Sequence, residues 1–394
     1  MKVMAATRHF TFKFPNGVKL LPKRIQYEIV QGGVGLITTD DPKANALLDE
    51  ALTHSDGGLR EISAAELGEI LKPLRLAEHF KDPPSFMRQT QWQSGTFDLP
   101  YKPGTCYFNS GIESIEGRLH LFTRRYRYKL RNFGAHFGVN DLAVCPLTDD
   151  LKMSGHLIVP IPPGRFEGEQ WEDPRAMIID GQCYVGMATY VHGKRWSIRQ
   201  SLVRMADDLS RFSVFAEVDY GGNASTPERG TEHEKNWLWF QSDGDLQCVY
   251  TLEPMRVFSI RNGDQASESV PIKHWRFGRI RGGSPPVRID DEFLLFFHSS
   301  RPWVDEYGRG RRRYYMGALT MTVRPPFRLT SITPNPLLIG SHHDIRELSS
   351  PLVVFPCGAK LIDNAWLVTM GINDERCGWI KIPHAELCKL LKPL

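Results

Sequence analysis

The stretch IIDGQCYVGMAT, residues 178–189, holds two short apolar strands joined by an acidic turn at Asp180-Gly181. Aspartate and glycine both tolerate the positive φ that a two-residue hairpin turn requires. Four further stretches, residues 114–123, 241–252, 288–299 and 361–372, repeat the pattern with the turn acids Glu116, Asp243, Asp290 and Asp363. The unit recurs roughly every 60 residues, a period that is typical of propeller blades.

Five such units predict a mainly β fold, a five-bladed β-propeller over residues 106–394. A pair of β-sandwiches would explain the strands but not the recurring unit. Residues 1–80 predict a small α+β N-terminal domain, with a hairpin at Pro15-Asn16-Gly17 and helices that begin near Asp41 and Ser63. Residues 81–105 contain several prolines and glycines without an apolar period, and we expect them to form a connecting segment.

Composition places the chain among ordinary globular proteins. Of its 394 residues, 41% are hydrophobic and 24% are charged. The formal net charge of +4, from 49 basic and 45 acidic side chains, is too weak a bias to suggest a nucleic-acid-binding protein. The seven cysteines form no CxxC pair, and the sequence shows neither a signal peptide nor a membrane span. We therefore expect a soluble, cytoplasmic protein.

Each repeat opens with polar residues where the first strand of a blade would begin beside the central channel. These openings are Phe108-Asn109-Ser110, Glu172-Asp173-Pro174-Arg175, Glu234-Lys235-Asn236, Gly282-Gly283-Ser284-Pro285-Pro286 and Ser349-Ser350-Pro351. If the blades close into a ring, all five openings meet at one cavity. Convergent polar groups in a concave cavity predict a binding or catalytic site.

The motifs in these repeats resemble those of the β-mannoside phosphorylases, a five-bladed propeller family related to arabinanases and invertases. The matching pieces include FNSG, GRLHLFTRRY, WEDPRAMIIDGQCYV, HEKNWLWF, GGSPPVRIDDEFLLFFHS and VVFPCGAKLIDNAWLVTMGIND. Their order holds over roughly residues 100–380. EDPR, at positions 172–175, is the most specific of them.

The resemblance implies a carbohydrate-active site with an acid that protonates the bridging oxygen. In the family, that acid is an aspartate in an S-x-D-G turn that ends the first blade. The matching stretch here is Thr148-Asp149-Asp150-Leu151, with leucine in place of glycine, so Asp150 is one candidate acid. Asp173, in the EDPR segment, is the other. A similar turn at Ala206-Asp207-Asp208-Leu209 indicates that this pattern can also be purely structural.

The resemblance also gives a set of substrate-binding candidates. Arg175, Lys235 and His298 match positions that bind phosphate or sugar hydroxyls, and a salt bridge, a solvated loop and a core histidine are their respective structural alternatives. Tryptophan faces suit sugar rings, and we expect one of Trp171, Trp237, Trp239 and Trp303 to contact ligand. The complete set of candidates is Asn109, Arg124, Glu172, Arg175, Lys235, Asn236, His298 and Asp374.

Three functions remain open at this point. The first is transfer of a glycosyl unit, such as mannosyl, to or from phosphate or a sugar nucleotide. Leu151 and the unfamiliar HEKNW segment favour a transferase over an ordinary phosphorylase. The second is hydrolysis by two carboxylates, and the third is carbohydrate binding without catalysis. We expect no cofactor, because the sequence contains neither a GxxxxGKS phosphate loop nor a GxGxxG motif after a strand. We expect no metal, because the adjacent His342 and His343 would point to opposite faces of a strand.

Overall fold

The structure is a computed structural model. It describes residues 2–6, 26–30, 34–39, 59–61, 92–100, 105–130, 136–164, 169–191, 197–218, 235–261, 263–265, 267–304, 310–340 and 352–394. The chain divides into two compact units, one comprising Met1–Pro83 with Arg301–Arg313 and the other Pro84–Ser300 with Tyr314–Leu394. No helix in the described ranges is long and apolar enough to cross a membrane.

The first unit contains a four-stranded antiparallel sheet. Its strands are β1 (Lys2–Ala6), β2 (Gln26–Val30), β3 (Val34–Thr39) and β4 (Leu59–Glu61), in the order β2-β3-β1-β4. The hairpin turn and the two helices predicted for this region lie outside the described residues, so the α+β character of the N-terminal domain stays a prediction.

Five sheets follow the N-terminal sheet, and all of their strands lie in the second unit except the ends at residues 301–304 and 310–313. We call them blades one to five. Blade one contains β6 (Thr105–Ile115), β7 (Arg118–Leu130) and β8 (His136–Pro146). Blade two contains β9 (Gln170–Ile179), β10 (Gln182–Val191), β11 (Ser197–Met205) and β12 (Phe212–Val218). Blade three contains β13 (Leu238–Ser242), β14 (Asp245–Leu252), β15 (Met255–Ser259) and β16 (Gly263–Gln265).

Blade four is the largest sheet. Its strands are β17 (Ser267–Glu268), β18 (Ile280–Gly282), β19 (Val287–Ile289), β20 (Glu292–Val304), β21 (Gly310–Thr322), β22 (Phe327–Ile332), β23 (Leu338–Ile339) and β27 (Lys392–Pro393). Blade five contains β24 (Val354–Ile362), β25 (Ala365–Ile372), β26 (Arg376–Pro383) and β5 (Gln93–Thr96). Strand β5 falls within the segment that the sequence predicted to be a connection, and it pairs with β26. A short helix, α1 (His384–Leu390), follows β26.

The five acidic hairpins predicted from the sequence are confirmed. Each joins the first strand of its blade to the second through a two-residue loop, as in the pairing of Ile179 with Gln182 across Asp180-Gly181. All five turn acids have a positive φ, between 48° and 50°. Aspartate tolerates this conformation because its short polar side chain can bond to the nearby backbone. The five positions are Glu116, Asp180, Asp243, Asp290 and Asp363.

The blades pack face to face, and a strand in the middle of a blade contributes side chains to the cores on both of its faces. In β20, Phe293, Leu295 and Phe297 enter the core shared with blade three, whereas Leu294 and Phe296 enter the core shared with blade five. Successive side chains of a strand point to opposite faces, so a strand buried on both faces reads as a continuous apolar run. This is why FLLFF contains no polar residue.

The five blades close into a ring, and their first strands form its inner wall. Five clusters of buried apolar side chains lie between neighbouring blades, one for each pair, including blades five and one. The backbones approach so closely that a Cβ on Gly111 would lie 2.7 Å from the Pro174 carbonyl, and one on Gly358 would lie 2.4 Å from the Ile112 nitrogen. The fold is therefore the predicted five-bladed propeller, with its first strands around a common axis.

Candidate functional site

In blades one, two and three, a residue in or just before the first strand has a left-handed backbone conformation. Asn109 in β6, Asp173 in β9 and Asn236 just before β13 have φ values of 52°, 54° and 73°. The β6 ladder slips between Phe108 and Gly111, and the β9 ladder slips again opposite Asp173. Such bulges re-aim a side chain, and strained backbone of this kind gathers at functional sites. Here it brings Asn109 Nδ2 within 2.7 Å of Asp173 Oδ1.

A cluster of alternating charges surrounds this contact. Arg124 lies 3.2 Å from Asp173 Oδ1 through Nη1 and pairs with Glu172 through Nη2. Lys235 Nζ lies 2.8 Å from the other oxygen of Glu172. The two carboxylates are buried, with side chains 5% and 7% exposed, whereas the side chains of Arg124 and Lys235 are 15% and 26% exposed. The cluster therefore turns its cations toward solvent and its carboxylates toward the protein.

Two amide side chains, those of Asn140 and Gln170, support the cluster from its buried side, and neither was predicted from the sequence. Asn140, which is 4% exposed, accepts a hydrogen bond of 2.7 Å from Arg124 Nε. Its Nδ2 donates to Gln170 at 2.7 Å and to Glu172 at 2.9 Å. The available signal was an asparagine among the apolar residues of β8, because a buried polar side chain requires partners.

Asp173 is ionised in this environment. Burial by itself raises the pKa of a carboxyl group, but here the charges of Arg124, Lys235 and Arg175, with the hydrogen bond from Asn109, lower the pKa of Asp173 to about 2. A carboxyl group with such a pKa holds no proton near neutrality. Asp173 is thus suited to bind a hydroxyl group or a cationic centre.

Arg175 lies at the centre of the ring and is 1% exposed. Its Nε donates to the Gly283 carbonyl at 2.7 Å, its Nη1 to the Asp173 carbonyl at 2.9 Å and its Nη2 to Asn236 Oδ1 at 3.2 Å. The guanidinium also lies 5.6 Å from the centroid of the Phe355 ring. These contacts tie blade two to blades three, four and five. They give Arg175 a structural role through hydrogen bonds, to Asn236 among others, and not through the salt bridge with Glu172 or Asp173 that was the alternative considered from the sequence.

His298 is also buried, with 3% exposure. Its ring stacks against Tyr314 at 5.9 Å and packs against Phe355 at 4.3 Å. Burial, together with the charges of Arg175 and Arg281, lowers the pKa of His298 to about 3, so the ring is neutral. Its Nδ1 has no hydrogen-bond partner among the described residues. His298 therefore packs as a core histidine, although its Nδ1 atom has no partner among the described residues.

Asp374 lies at the tip of the β25–β26 hairpin and has a φ of 54°. It is accessible to solvent even though protein atoms surround it, as expected for a residue in a concave wall. Burial raises the pKa of Asp374 to about 6; the charges of Asp173 and Glu172 also raise it, and those of Arg124 and Lys235 lower it. The raised pKa of Asp374 thus reflects its surroundings and the charges of the cluster around Asp173.

Asp150 does not join the cluster. It lies in an exposed turn, where it bonds to Thr148 Oγ1 and forms an ion pair of 2.6 Å with Lys152. Leu151, the next residue, has a φ of 61°, and the matching turn in blade two has Leu209 at 57°. Because the two turns share this geometry, a structural role explains the Thr-Asp-Asp-Leu pattern, and we do not include Asp150 in the proposed catalytic set.

The predicted site residues thus divide into three groups. Those at the charged cluster are Asn109, Arg124, Glu172, Asp173, Lys235 and Asp374; those buried around the axis are Arg175, Asn236 and His298; Asp150 lies apart. Of the four tryptophans, Trp171, Trp237 and Trp239 are at most 2% exposed and pack between blades. The side chain of Trp303 and the opening at 349–351 lie outside the described residues, as do His342 and His343.

Comparisons with known proteins agree with this architecture. No protein-family model and no curated protein sequence matches the chain. Among solved structures, a β-1,2-mannobiose phosphorylase from Listeria innocua, bound to β-1,2-mannobiose, is 14% identical with a TM-score of 0.54 over 74% of this chain and 94% of its own. MPT-4, a mannose phosphorylase from Leishmania mexicana in complex with a phosphate ion, is 14% identical with a TM-score of 0.52 over 82% and 97%.

A third structure has a different activity. MPT-1, a GDP-Man-dependent mannosyltransferase from Leishmania mexicana, is 14% identical with a TM-score of 0.50 over 79% of this chain and 94% of its own. Such similarity shows the fold, and one fold can serve several reactions. The chain therefore shares the five-bladed propeller fold of the mannoside phosphorylases and of a mannosyltransferase, the resemblance that its sequence motifs predicted.

Proposed function

We propose that this protein transfers a glycosyl unit, such as mannosyl, between a saccharide and phosphate or a phosphate-activated donor. One observation carries the proposal: Arg124 and Lys235 are partly exposed, while the carboxylates that orient them are buried. Cations held in this way can bind the oxygens of a phosphate group. Asn109 and Asp374 lie beside them and supply the amide and carboxyl groups that bind sugar hydroxyls.

The comparisons support the same proposal. One structural neighbour is described with a mannobiose, another with a phosphate ion, and a third as a transferase that uses GDP-mannose. All seven cysteines of this chain are free, as is usual in a reducing compartment. A cytoplasmic location, which we propose on that basis, would provide both phosphate and sugar nucleotides.

Hydrolysis is the second candidate, and a specific observation favours it. Asp173 has a pKa of about 2 and Asp374 one of about 6, although both belong to one group of interacting charges. Two carboxyl groups whose surroundings separate their pKa values are the usual signature of a base and an acid in glycoside hydrolysis.

A product assay distinguishes the candidates. The protein is incubated with β-linked manno-oligosaccharides, with and without inorganic phosphate, and separately with mannose 1-phosphate or GDP-mannose plus an acceptor sugar. Phosphate-dependent release of a sugar 1-phosphate supports phosphorolysis, and elongation of the acceptor supports transfer from the matching donor. Free sugar formed without phosphate supports hydrolysis instead. If no substrate turns over but saccharides raise the melting temperature, the protein is a binding propeller and the proposal is wrong.

A further inference from the structure

The hairpin that carries Asp374 is fixed to the first strand of its blade. Asn373, which is 1% exposed, donates its backbone N–H to the Val353 carbonyl at 3.1 Å, and its Oδ1 accepts the Val353 N–H at 2.9 Å. Asn373 and Asp374 both have a φ of 54°, and Glu375 N–H closes the turn on the Ile372 carbonyl at 3.0 Å. The chain therefore presents Asp374 on a rigid and strained turn beside the axis.

The charges that act on Asp374 come from three other elements, and its hairpin also contacts the cluster directly, since a Cβ on Gly371 would lie 1.8 Å from Asn109 Oδ1. Arg124 belongs to β7, Glu172 and Asp173 belong to β9, and Lys235 precedes β13. Arg124 and Lys235 pair with the two β9 carboxylates, so each of these buried carboxylates already has a cation. Asp374 accepts no hydrogen bond and forms no ion pair among the described residues, and it is open to solvent. Of the three carboxyl groups, it is the one available to a ligand.

We propose that Asp374 exchanges a proton with the bridging oxygen of the glycosidic bond. This assignment rests on the proposed function and adds a catalytic residue to it. It departs from both acids expected from the sequence, because Asp150 lies in an exposed turn and pairs with Lys152, and Asp173 is held by Asn109 and Arg124. Asp374 combines access to ligand with a backbone held in place by the bonds of Asn373 and Glu375, and proton transfer requires a donor positioned at the substrate.

The reaction balances with hydrogen phosphate as the co-reactant. An oxygen of hydrogen phosphate bonds to the anomeric carbon while the bond from that carbon to the bridging oxygen breaks. Protonated Asp374 gives its proton to the bridging oxygen, which leaves as the alcohol of the departing sugar. The proton carried by the phosphate group then returns the carboxylate to its acid form. A pKa raised to about 6 supplies the protonated form of Asp374 at mildly acidic pH.

The test compares Asp374→Asn with Asp363→Asn. Asp363 is a matched control because it is also an exposed hairpin aspartate in blade five, with a φ of 48°. Each variant is assayed on a manno-oligosaccharide and on a 4-nitrophenyl mannoside, whose leaving group departs without protonation. For Asp374→Asn, we expect kcat on the oligosaccharide to fall by roughly 10²–10⁴-fold with KM nearly unchanged. We expect kcat on the nitrophenyl substrate to fall by less than about 10-fold.

The pH dependence provides a second readout. Wild-type activity on the oligosaccharide should decline as the pH rises above about 6, because Asp374 loses its proton, and this decline should be absent from Asp374→Asn. Equal losses on the two substrates, with a raised KM, would overturn the acid role in favour of hydroxyl binding. Wild-type turnover with an unaffected Asp374→Asn variant would overturn the acid role alone. Absence of wild-type turnover would overturn both this inference and the proposed function.

Discussion

Replacing Arg124 with methionine should destabilise the propeller in a pH-dependent manner. The substitution keeps most of the apolar stem but leaves Asp173 and Glu172, whose side chains are 7% and 5% exposed, without their shared cation. Removing one partner of a buried ion pair costs about 3–5 kcal/mol. The lowering of the Asp173 pKa from 3.8 to about 2 corresponds to about 2–3 kcal/mol of stabilisation of the folded state. Arg124 contributes more to this lowering than any other group.

The sign of the pH dependence follows from the same shift. A carboxyl group with a lowered pKa stabilises the folded state above its unfolded pKa, and that contribution is lost as the pH falls through about 2. Without Arg124, burial raises the pKa of Asp173, and the group can become protonated at mildly acidic pH. The destabilisation by Arg124→Met should therefore be greatest at pH 7 and smaller near pH 4.5.

Urea unfolding, followed by tryptophan fluorescence at both pH values, measures the effect. Arg125→Met is the matched control: Arg125 is the next residue of β7 and pairs with Asp141 at 2.8 Å, but its side chain is 20% exposed and that of Asp141 is 23% exposed. Asp141 also pairs with Arg127 at 2.8 Å, so Arg125→Met leaves this carboxylate with a cation and should cost less than Arg124→Met. Equal costs for the two variants at pH 7, or a cost for Arg124→Met that grows as the pH falls, would refute the reasoning.

Three other changes test the ring itself. Gly371→Ala should lower the free energy of unfolding, measured by urea titration, by at least about 1–3 kcal/mol, because the new Cβ would lie 1.8 Å from Asn109 Oδ1 and 2.8 Å from the Asn109 nitrogen. An unchanged free energy of unfolding would show that the ring can widen there. Arg175→Met should lower thermal stability by the equivalent of about 3 kcal/mol, since the Gly283 carbonyl loses its donor; wild-type stability combined with weaker saccharide binding would instead assign Arg175 to the ligand. For His298→Phe, we expect a flatter stability profile than wild type between pH 6.5 and pH 3. In this range the imidazole of the unfolded chain takes up a proton while the buried ring of the folded protein stays neutral, so wild-type stability falls with the pH. Parallel profiles of the two proteins in acid would contradict that expectation.

The hairpins and the ring were predictable because their causes are local. A two-residue turn between alternating apolar strands needs a residue that tolerates positive φ, and the chain places an acid there in each of five repeats. The runs that are apolar on both faces, such as FLLFF, indicate strands between two cores. Once five repeats are counted, the meeting of their polar openings at one axis follows from closure, and Asn109, Asp173 and Lys235 do meet there.

Only the tertiary structure separated the roles of these residues. A sequence contains three aspartates of equal chemistry, Asp150, Asp173 and Asp374, whereas their pKa values depend on charges brought near by strands distant in the chain. The role of Asn140 could not be predicted from the sequence for the same reason, since its partners Arg124 and Glu172 lie on two different blades. Backbone conformation is determined within a few residues and can be predicted from them, but solvation and electrostatic potential at a site are set by every group around it.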